Sequence, residues 1–110
     1  MAALNNTVGV VGVMPGGNIN LFIAKVFDAA GSASSSTISK AMLGCRSKGN
    51  ANVISMSLGG SSASRLEQKV ATFLAARNVL LIAAAGNAGT SAVSYPAGFA
   101  EVMSVAAIDS

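Results

Sequence analysis

Two short glycine-containing stretches carry the residues that could do chemistry. Residues 57–60 (SLGG) and 83–87 (AAAGN) combine small side chains with glycines, and the second ends in an amide. Glycine permits backbone torsions and close approaches that a side chain forbids, so either stretch could leave room for a ligand. The amide of Asn87 could donate a hydrogen bond to an oxyanion that develops on a substrate. Plain strand-ending turns are an equally good interpretation of both.

Residues 4–10 (LNNTVGV) form a third candidate site. Alternate backbone carbonyls and an asparagine oxygen are donors that a hard cation such as Ca²⁺ accepts. Taken alone, the segment is better explained by a simple turn. The glycine-rich residues 9–17 do not form a dinucleotide loop, because they lack the G-x-G-x-x-G spacing and precede a strand pattern instead of following one.

Composition excludes several kinds of chemistry and partner. The 110 residues suffice for one small domain and contain no histidine, which excludes a histidine-based triad or zinc site within the chain. Cys45 is alone, so no internal disulfide can form. The net charge of +3 comes from scattered cations and only 5% of residues are aromatic, so we expect no nucleic-acid partner.

Hydrophobic residues make up 52% of the chain and charged residues only 10%. The longest apolar run, residues 79–85, is far shorter than the ~20 residues of a membrane span, so no membrane partner is expected. A free-standing domain of this size normally covers its surface with charged side chains. Either the surface is rich in small residues, or the chain is the interior of something larger.

The elements that must position the candidate residues alternate along the chain. Apolar runs predict strands at residues 21–26, 53–58, 79–85 and 102–107. Helical spacing predicts helices at residues 36–48 and 63–77. The second helix has an apolar face of Leu66, Val70, Phe73 and Leu74, and a polar face of Arg65, Glu67 and Lys69.

This alternation predicts an α/β fold, a parallel sheet with crossover helices and strands buried on both faces. A ligand site is then expected beyond the carboxyl ends of the strands, in the loops at residues 27–35, 59–64 and 86–95.

Taken in order, these segments resemble the subtilisin-like serine proteases. The matching motifs are residues 2–15 (AALNNTVGVVGVMP), 53–60 (VISMSLGG), 83–87 (AAAGN), 94–96 (SYP) and 105–109 (VAAID). The resemblance covers essentially the whole chain. It implies that residues 1–110 are the central slice of a three-layer peptidase domain, with the catalytic Asp and His before it and the catalytic Ser after it. The resemblance also implies that Ser57 lies in a substrate-binding strand and is not the nucleophile, and without a histidine to take its proton it would not be activated.

The resemblance also implies roles for individual residues. Asn87 corresponds to the residue that stabilises the oxyanion. The substrate cleft is expected to comprise Gly31, Ser32, Ala33, Ser57, Leu58, Gly59, Ala84, Ala85, Gly86 and Ser94. A structural calcium ion is expected on the carbonyls of Leu4, Val8 and Val10 and the side chain of Asn6, the other ligands lying elsewhere in the parent domain.

The parent is thus expected to be a monomeric, extracellular serine endopeptidase that hydrolyses peptide bonds in proteins, and the 110 residues alone are expected to be inactive. The stretch between Asn87 and Tyr95 is short, as in high-alkaline subtilisins. One alternative is a non-catalytic truncated relative that at most binds peptides by strand addition. A generic small α/β binding domain is the other.

Overall fold

The computed structural model describes residues 3–108, which form two helices and three strands. In chain order these are α1 (Ser35–Ser47), β1 (Val53–Met56), α2 (Arg65–Ala75), β2 (Leu80–Ala84) and β3 (Val102–Val105). The strands are all parallel, in the order β1-β2-β3. The predicted α/β fold is therefore confirmed. The described range does not include residues 1–2 and 109–110. The ends of the predicted domain 1–110, the first residue of motif 2–15 and the last residue of motif 105–109 therefore lie outside it.

Serine side chains begin both helices. The Ser34 hydroxyl accepts a hydrogen bond from the Thr37 amide at 3.2 Å, and the Ser64 hydroxyl accepts one from the Glu67 amide at 3.4 Å. Each satisfies an amide that lacks a partner in the first helical turn. After α1 the chain reverses through Asn50, which adopts a left-handed φ of 49°. Asparagine tolerates this conformation better than most residues.

One face of the sheet carries the core. Because paired residues of a parallel sheet point the same way, the register places Ile54, Leu81 and Val102 together on this face. All three are buried, and they form one cluster with Leu74 of α2 and Met42 of α1. α2 packs on β2, and α1 packs against α2. The two helices therefore cover the same face.

The opposite face of the sheet is bare, which corrects the prediction that the strands are buried on both faces. Leu80 and Met103 are 44% and 52% exposed, and Val53 and Val105 of the same face are exposed as well. The described residues thus supply two layers, the sheet and one helical layer. The strand sequences are apolar on both faces. Burial of the second face, however, needs a further layer packed against it, which residues 3–108 do not provide. Neither helix has the length and apolar character needed to cross a bilayer.

The strand predicted at residues 21–26 is not formed. This segment lies across a cavity of about 1010 Å³ from β1, and no backbone hydrogen bond in the described part of the chain reaches it. Ile23 is 80% exposed, and Phe22 packs instead on Gly49 after α1. An apolar run indicates that a segment can be buried, whereas a strand also requires a neighbour within hydrogen-bonding distance.

We expect the bare face to make the 110-residue chain self-associate when it is produced alone, because contiguous exposed apolar surface drives association. Light scattering after size-exclusion chromatography should show aggregates. The double substitution Leu80→Ser/Met103→Ser should raise the soluble fraction. Leu81→Ser, on the buried face of the same strand, should lower it. A monomeric, cooperatively unfolding unmodified chain would contradict this expectation.

Candidate functional site

Ser94 lies between two glycines that follow neighbouring strands. A Cβ atom placed on Gly59 would collide with the Ser94 Oγ, and one placed on Gly86 would come within 3.4 Å of the Ser94 Cβ. Gly86 also has a φ of +102°, which strongly favours glycine. Three residues predicted for the cleft are thus brought together, at the carboxyl ends of β1 and β2.

Three backbone hydrogen bonds hold this arrangement. The Gly60 amide donates to the Tyr95 carbonyl at 2.9 Å, and the Tyr95 amide donates to the Gly60 carbonyl at 2.8 Å. The Gly98 amide donates to the Ser94 carbonyl at 2.7 Å. The Tyr95 and Phe99 rings lie 5.0 Å apart, and Phe99 is buried in the core. Ser94 is therefore held through its own carbonyl and through the pairing of the residue that follows it.

The predicted second flank of the cleft is a tight loop built on Asp28. One oxygen of its carboxylate accepts hydrogen bonds from the amides of Ala30 and Ser32, both at 2.9 Å. The Asp28 amide donates to the Ser32 carbonyl, and Gly31 turns the chain with a φ of +75°. Sequence reasoning missed the positioning role of Asp28, although an aspartate two to four residues before small turn residues is a common turn signal.

Both flanks present free backbone groups. Within residues 3–108, the amides and carbonyls of Ala33, Leu58 and Gly59 take part in no backbone hydrogen bond. Gly31, Ser32, Ala33, Leu58 and Gly59 together line a cavity of about 380 Å³. An extended peptide placed between the two flanks could therefore pair with backbone on either side.

The remaining predicted cleft residues lie close in sequence to Gly59, Gly86 and Ser94. Asn87 is exposed in the turn after β2, and its amide makes no hydrogen bond to a described residue. Ala84 ends β2, and the Ala85 amide donates to the Val105 carbonyl of β3 at 2.9 Å. Ser57 is exposed directly after β1. Asn87 thus keeps its two N–H donors available at the carboxyl edge of the sheet.

Glu67 corrects the prediction of a polar outer face on α2. It is only 5% exposed and lines the 380 Å³ cavity, whereas Leu66 and Phe73, predicted to be buried, are partly exposed. The buried face of α2 is therefore formed by Glu67, Val70, Ala71 and Leu74. The spacing Ser64-x-x-Glu67 is typical of a capping box. It was the signal in the sequence that Glu67 lies in the first turn of α2 and not simply on its polar face.

Cys45 is a poor nucleophile in this environment. Burial raises the pKa of the Cys45 thiol, partly offset by a hydrogen bond to its own backbone. A raised thiol pKa lowers the fraction of reactive thiolate. Among residues 3–108 no group of three or more His, Cys, Asp or Glu side chains could hold a metal ion.

The predicted calcium loop offers oxygen donors of the right kind. The Asn6 side-chain oxygen accepts a hydrogen bond from the Val8 amide at 3.0 Å, and the Leu4 carbonyl accepts one from the Asn6 amide at 3.0 Å. A carbonyl oxygen has two lone pairs, so each keeps one. Leu4, Val8 and Val10 are exposed. The four oxygens are fewer than the six to eight that Ca²⁺ takes, so they could form only part of its shell.

The fold and the cleft together define the class of protein. It is an α/β protein whose parallel sheet has, at its carboxyl edge, a cleft that could hold an extended peptide. Comparison with known proteins identifies the family. The family model described as "Subtilase family" matches residues 1–110. The chain is 40% identical over 109 residues to an alkaline protease of Alkalihalobacillus alcalophilus, and 39% identical to subtilisin Savinase of Lederbergia lenta. Both alignments cover 99% of this chain.

Solved structures agree with this assignment. The psychrophilic subtilisin-like protease Apa1 from the Antarctic psychrotroph Pseudoalteromonas sp. AS-11 superposes with a TM-score of 0.90 at 52% identity, over 98% of this chain. The chain belongs to the subtilase family of subtilisin-like proteases. It spans 28% and 39% of the two curated relatives and 25% of the Apa1 chain.

Substituting Gly59 tests its close contact with Ser94. In the complete protein, we expect Gly59→Ala to lower the free energy of unfolding by about 0.5–1.5 kcal/mol, because the Ser94 hydroxyl must turn away from the added Cβ. Gly60→Ala is the matched control, because nothing lies within 4 Å of an added Cβ there. Adding Ser94→Ala to Gly59→Ala should recover most of the loss. Equal effects of the two glycine substitutions, measured by denaturant unfolding, would contradict the contact.

Proposed function

We propose that this chain supplies the substrate cleft and the oxyanion donor of an extracellular serine endopeptidase that hydrolyses peptide bonds in proteins. Two facts support the proposal: membership of the subtilase family over the whole chain, and the cluster of Gly59, Ser94 and Gly86 at the carboxyl ends of β1 and β2. The cluster is the observation that carries it, because strands that end in residues without side chains leave their backbone open to an extended peptide.

The chain's residues then divide the work of binding. A peptide substrate adds as a strand between the flanks at residues 31–33 and 57–59, where the free amides and carbonyls of Ala33, Leu58 and Gly59 pair with its backbone. The side chain next to the scissile bond enters the pocket bounded by Ser94 and by residues 84–86. Backbone pairing contributes affinity for any sequence, and the pocket contributes selectivity.

Asn87 acts on the transition state. When a nucleophile attacks the scissile carbonyl, negative charge develops on its oxygen, and a fixed N–H donor stabilises that charge more than it stabilises the neutral carbonyl. The 110 residues contain no histidine, so the proton transfers that activate the nucleophile need groups from elsewhere in the protein. The chain's own contribution is to bind, orient and stabilise.

Replacing Asn87 in the complete protein should separate catalysis from binding. We expect Asn87→Ala to lower kcat by about 10²–10³, the cost of losing one such donor in a subtilisin, with KM changed by less than about threefold. Steady-state kinetics on a chromogenic peptide would measure both constants.

Asn18→Ala is the matched control, since Asn18 is an exposed asparagine remote in sequence from the cleft, and its kinetics should not change. A loss that fell mainly on KM would contradict the oxyanion role. Saturable peptide binding without any turnover in the unmodified protein would instead support the alternative of a non-catalytic peptide binder.

We also propose that the loop at residues 4–10 holds a structural calcium ion. The donors are the carbonyls of Leu4, Val8 and Val10 and the side-chain oxygen of Asn6, each with a lone pair left after the hydrogen bonds within the loop. The bound ion ties the loop together and stabilises the folded state by mass action.

Calcium titration of thermal stability tests this loop without reference to activity. In the complete protein, Ca²⁺ added after chelation should raise the midpoint of thermal unfolding. Asn6→Ala should weaken the apparent calcium affinity by at least about tenfold. The neighbouring Asn5→Ala removes an asparagine outside the ligand set and should leave it unchanged. Identical titrations for the two variants would contradict the assignment.

A further inference from the structure

Asp28 carries an exposed carboxylate that has no part in the proposed mechanism. One of its oxygens, Oδ1, accepts hydrogen bonds from the amides of Ala30 and Ser32, both at 2.9 Å. The other oxygen, Oδ2, accepts no hydrogen bond from a residue of the described range 3–108. Both contacts are thus made by a single atom, which has a lone pair for each.

The backbone of Asp28 completes a closed set of contacts with Ser32. The Asp28 amide donates to the Ser32 carbonyl at 3.0 Å, and the Gly31 amide donates to the Asp28 carbonyl at 3.1 Å. Ser32 therefore has both its amide and its carbonyl bound to Asp28, as it would to a residue of a neighbouring antiparallel strand. Asp28 replaces that strand over one residue pair.

This pairing decides which backbone groups of the flank stay open. Successive residues of an extended strand direct their amides and carbonyls to opposite sides. Because the backbone groups of Ser32 are bound to Asp28, those of Ala33 are expected on the opposite side. The Ala33 groups indeed take part in no backbone hydrogen bond within residues 3–108. The chain stays extended up to Ser34, which has a φ of −79° and a ψ of 153°.

The loop at residues 28–32 has little else to hold it. All five residues are exposed, and no hydrogen bond joins them to a helix or a strand of the described chain. The orientation of the flank therefore depends on the bonds within the loop. Without them, the entropy lost in ordering the loop would oppose the binding of a peptide.

We propose that Oδ1 of Asp28 is the positioning group that presents the Ala33 backbone to a peptide substrate. This inference rests on the proposed function and adds a positioning residue to it. Asp28 acts through Ser32, whose bonds orient the residue that follows, and does not itself touch the reacting atoms. The flank is ordered before the peptide arrives, so binding is not opposed by the cost of ordering it.

Two substrates of different length separate this role from a general effect on the fold. An internally quenched octapeptide can add as a strand, whereas an acylated single-residue ester has too little backbone to do so. In the complete protein, we expect Asp28→Ala to raise KM for the octapeptide about tenfold and to change kcat by less than about twofold. Both constants for the ester should stay within about twofold of their original values.

Asp28→Asn keeps the oxygen that makes the contacts and removes the charge. An amide oxygen has two lone pairs and can accept both hydrogen bonds, so KM for the octapeptide should return to within about twofold of the unmodified protein. Glu101→Ala is the matched control. It removes a carboxylate that is hydrogen-bonded to Thr72 and lies outside the flank, and it should leave KM for both substrates unchanged.

Several outcomes would overturn the positioning role and leave the proposed function intact. These are an unchanged KM for the octapeptide, an equal loss on both substrates, a loss confined to the midpoint of thermal unfolding, and an Asn variant as impaired as the Ala variant. If the unmodified protein cleaves neither substrate, the proposed function fails instead.

Binding of a labelled octapeptide, followed by fluorescence anisotropy, would then test Asp28 alone. A Kd that Asp28→Ala raises about tenfold and Asp28→Asn restores would support the positioning role. Any other result, including no binding to the unmodified protein, would overturn it.

Discussion

The pair of hydrogen bonds between Gly60 and Tyr95 is the constraint on which the cleft depends. The parallel ladder aligns the carboxyl ends of β1, β2 and β3, but the loop between β2 and β3 is seventeen residues long and could leave the sheet edge. Pairing with Gly60 returns this loop to the end of β1. Ser94 is thereby held between Gly59 and Gly86, and it can lie this close to both because neither has a Cβ.

The same requirement for open backbone explains why the cleft is poor in functional side chains. A surface that pairs with any extended peptide must expose amides and carbonyls, and glycine, alanine and serine obstruct them least. In the proposed function, discrimination between substrates would then rest on the few side chains that border the open backbone. Ser94 packs against Gly59 and Gly86, and Glu67 lines the cavity of about 380 Å³. Each is held by local structure: Ser94 by the Gly98 amide, and Glu67 by its place in the first turn of α2.

Sequence reasoning predicted the elements that local patterns determine. Both helices and three of the four strands lie within two residues of their predicted limits, because serine caps, helical spacing and apolar runs are local signals. Gly59, Gly86 and Ser94 were assigned to one cleft by family resemblance, and the structure brings them together. Residues 21–26 were predicted as a strand in error, because pairing depends on where a neighbouring backbone lies.

The burial of Glu67 shows a second limit of pattern reading. A helical wheel places Glu67 on the polar face of α2. The wheel considers only residue types and assumes that each helix packs against one neighbour. α2 contacts both β2 and α1, so its buried face is set by tertiary packing and includes the one acidic residue of the helix. Its carboxylate oxygens nevertheless stay accessible through the cavity, since neither is a buried atom without a hydrogen-bond partner. A charged residue can therefore lie on the buried face of a helix without an ion pair, provided that its charged atoms keep contact with water.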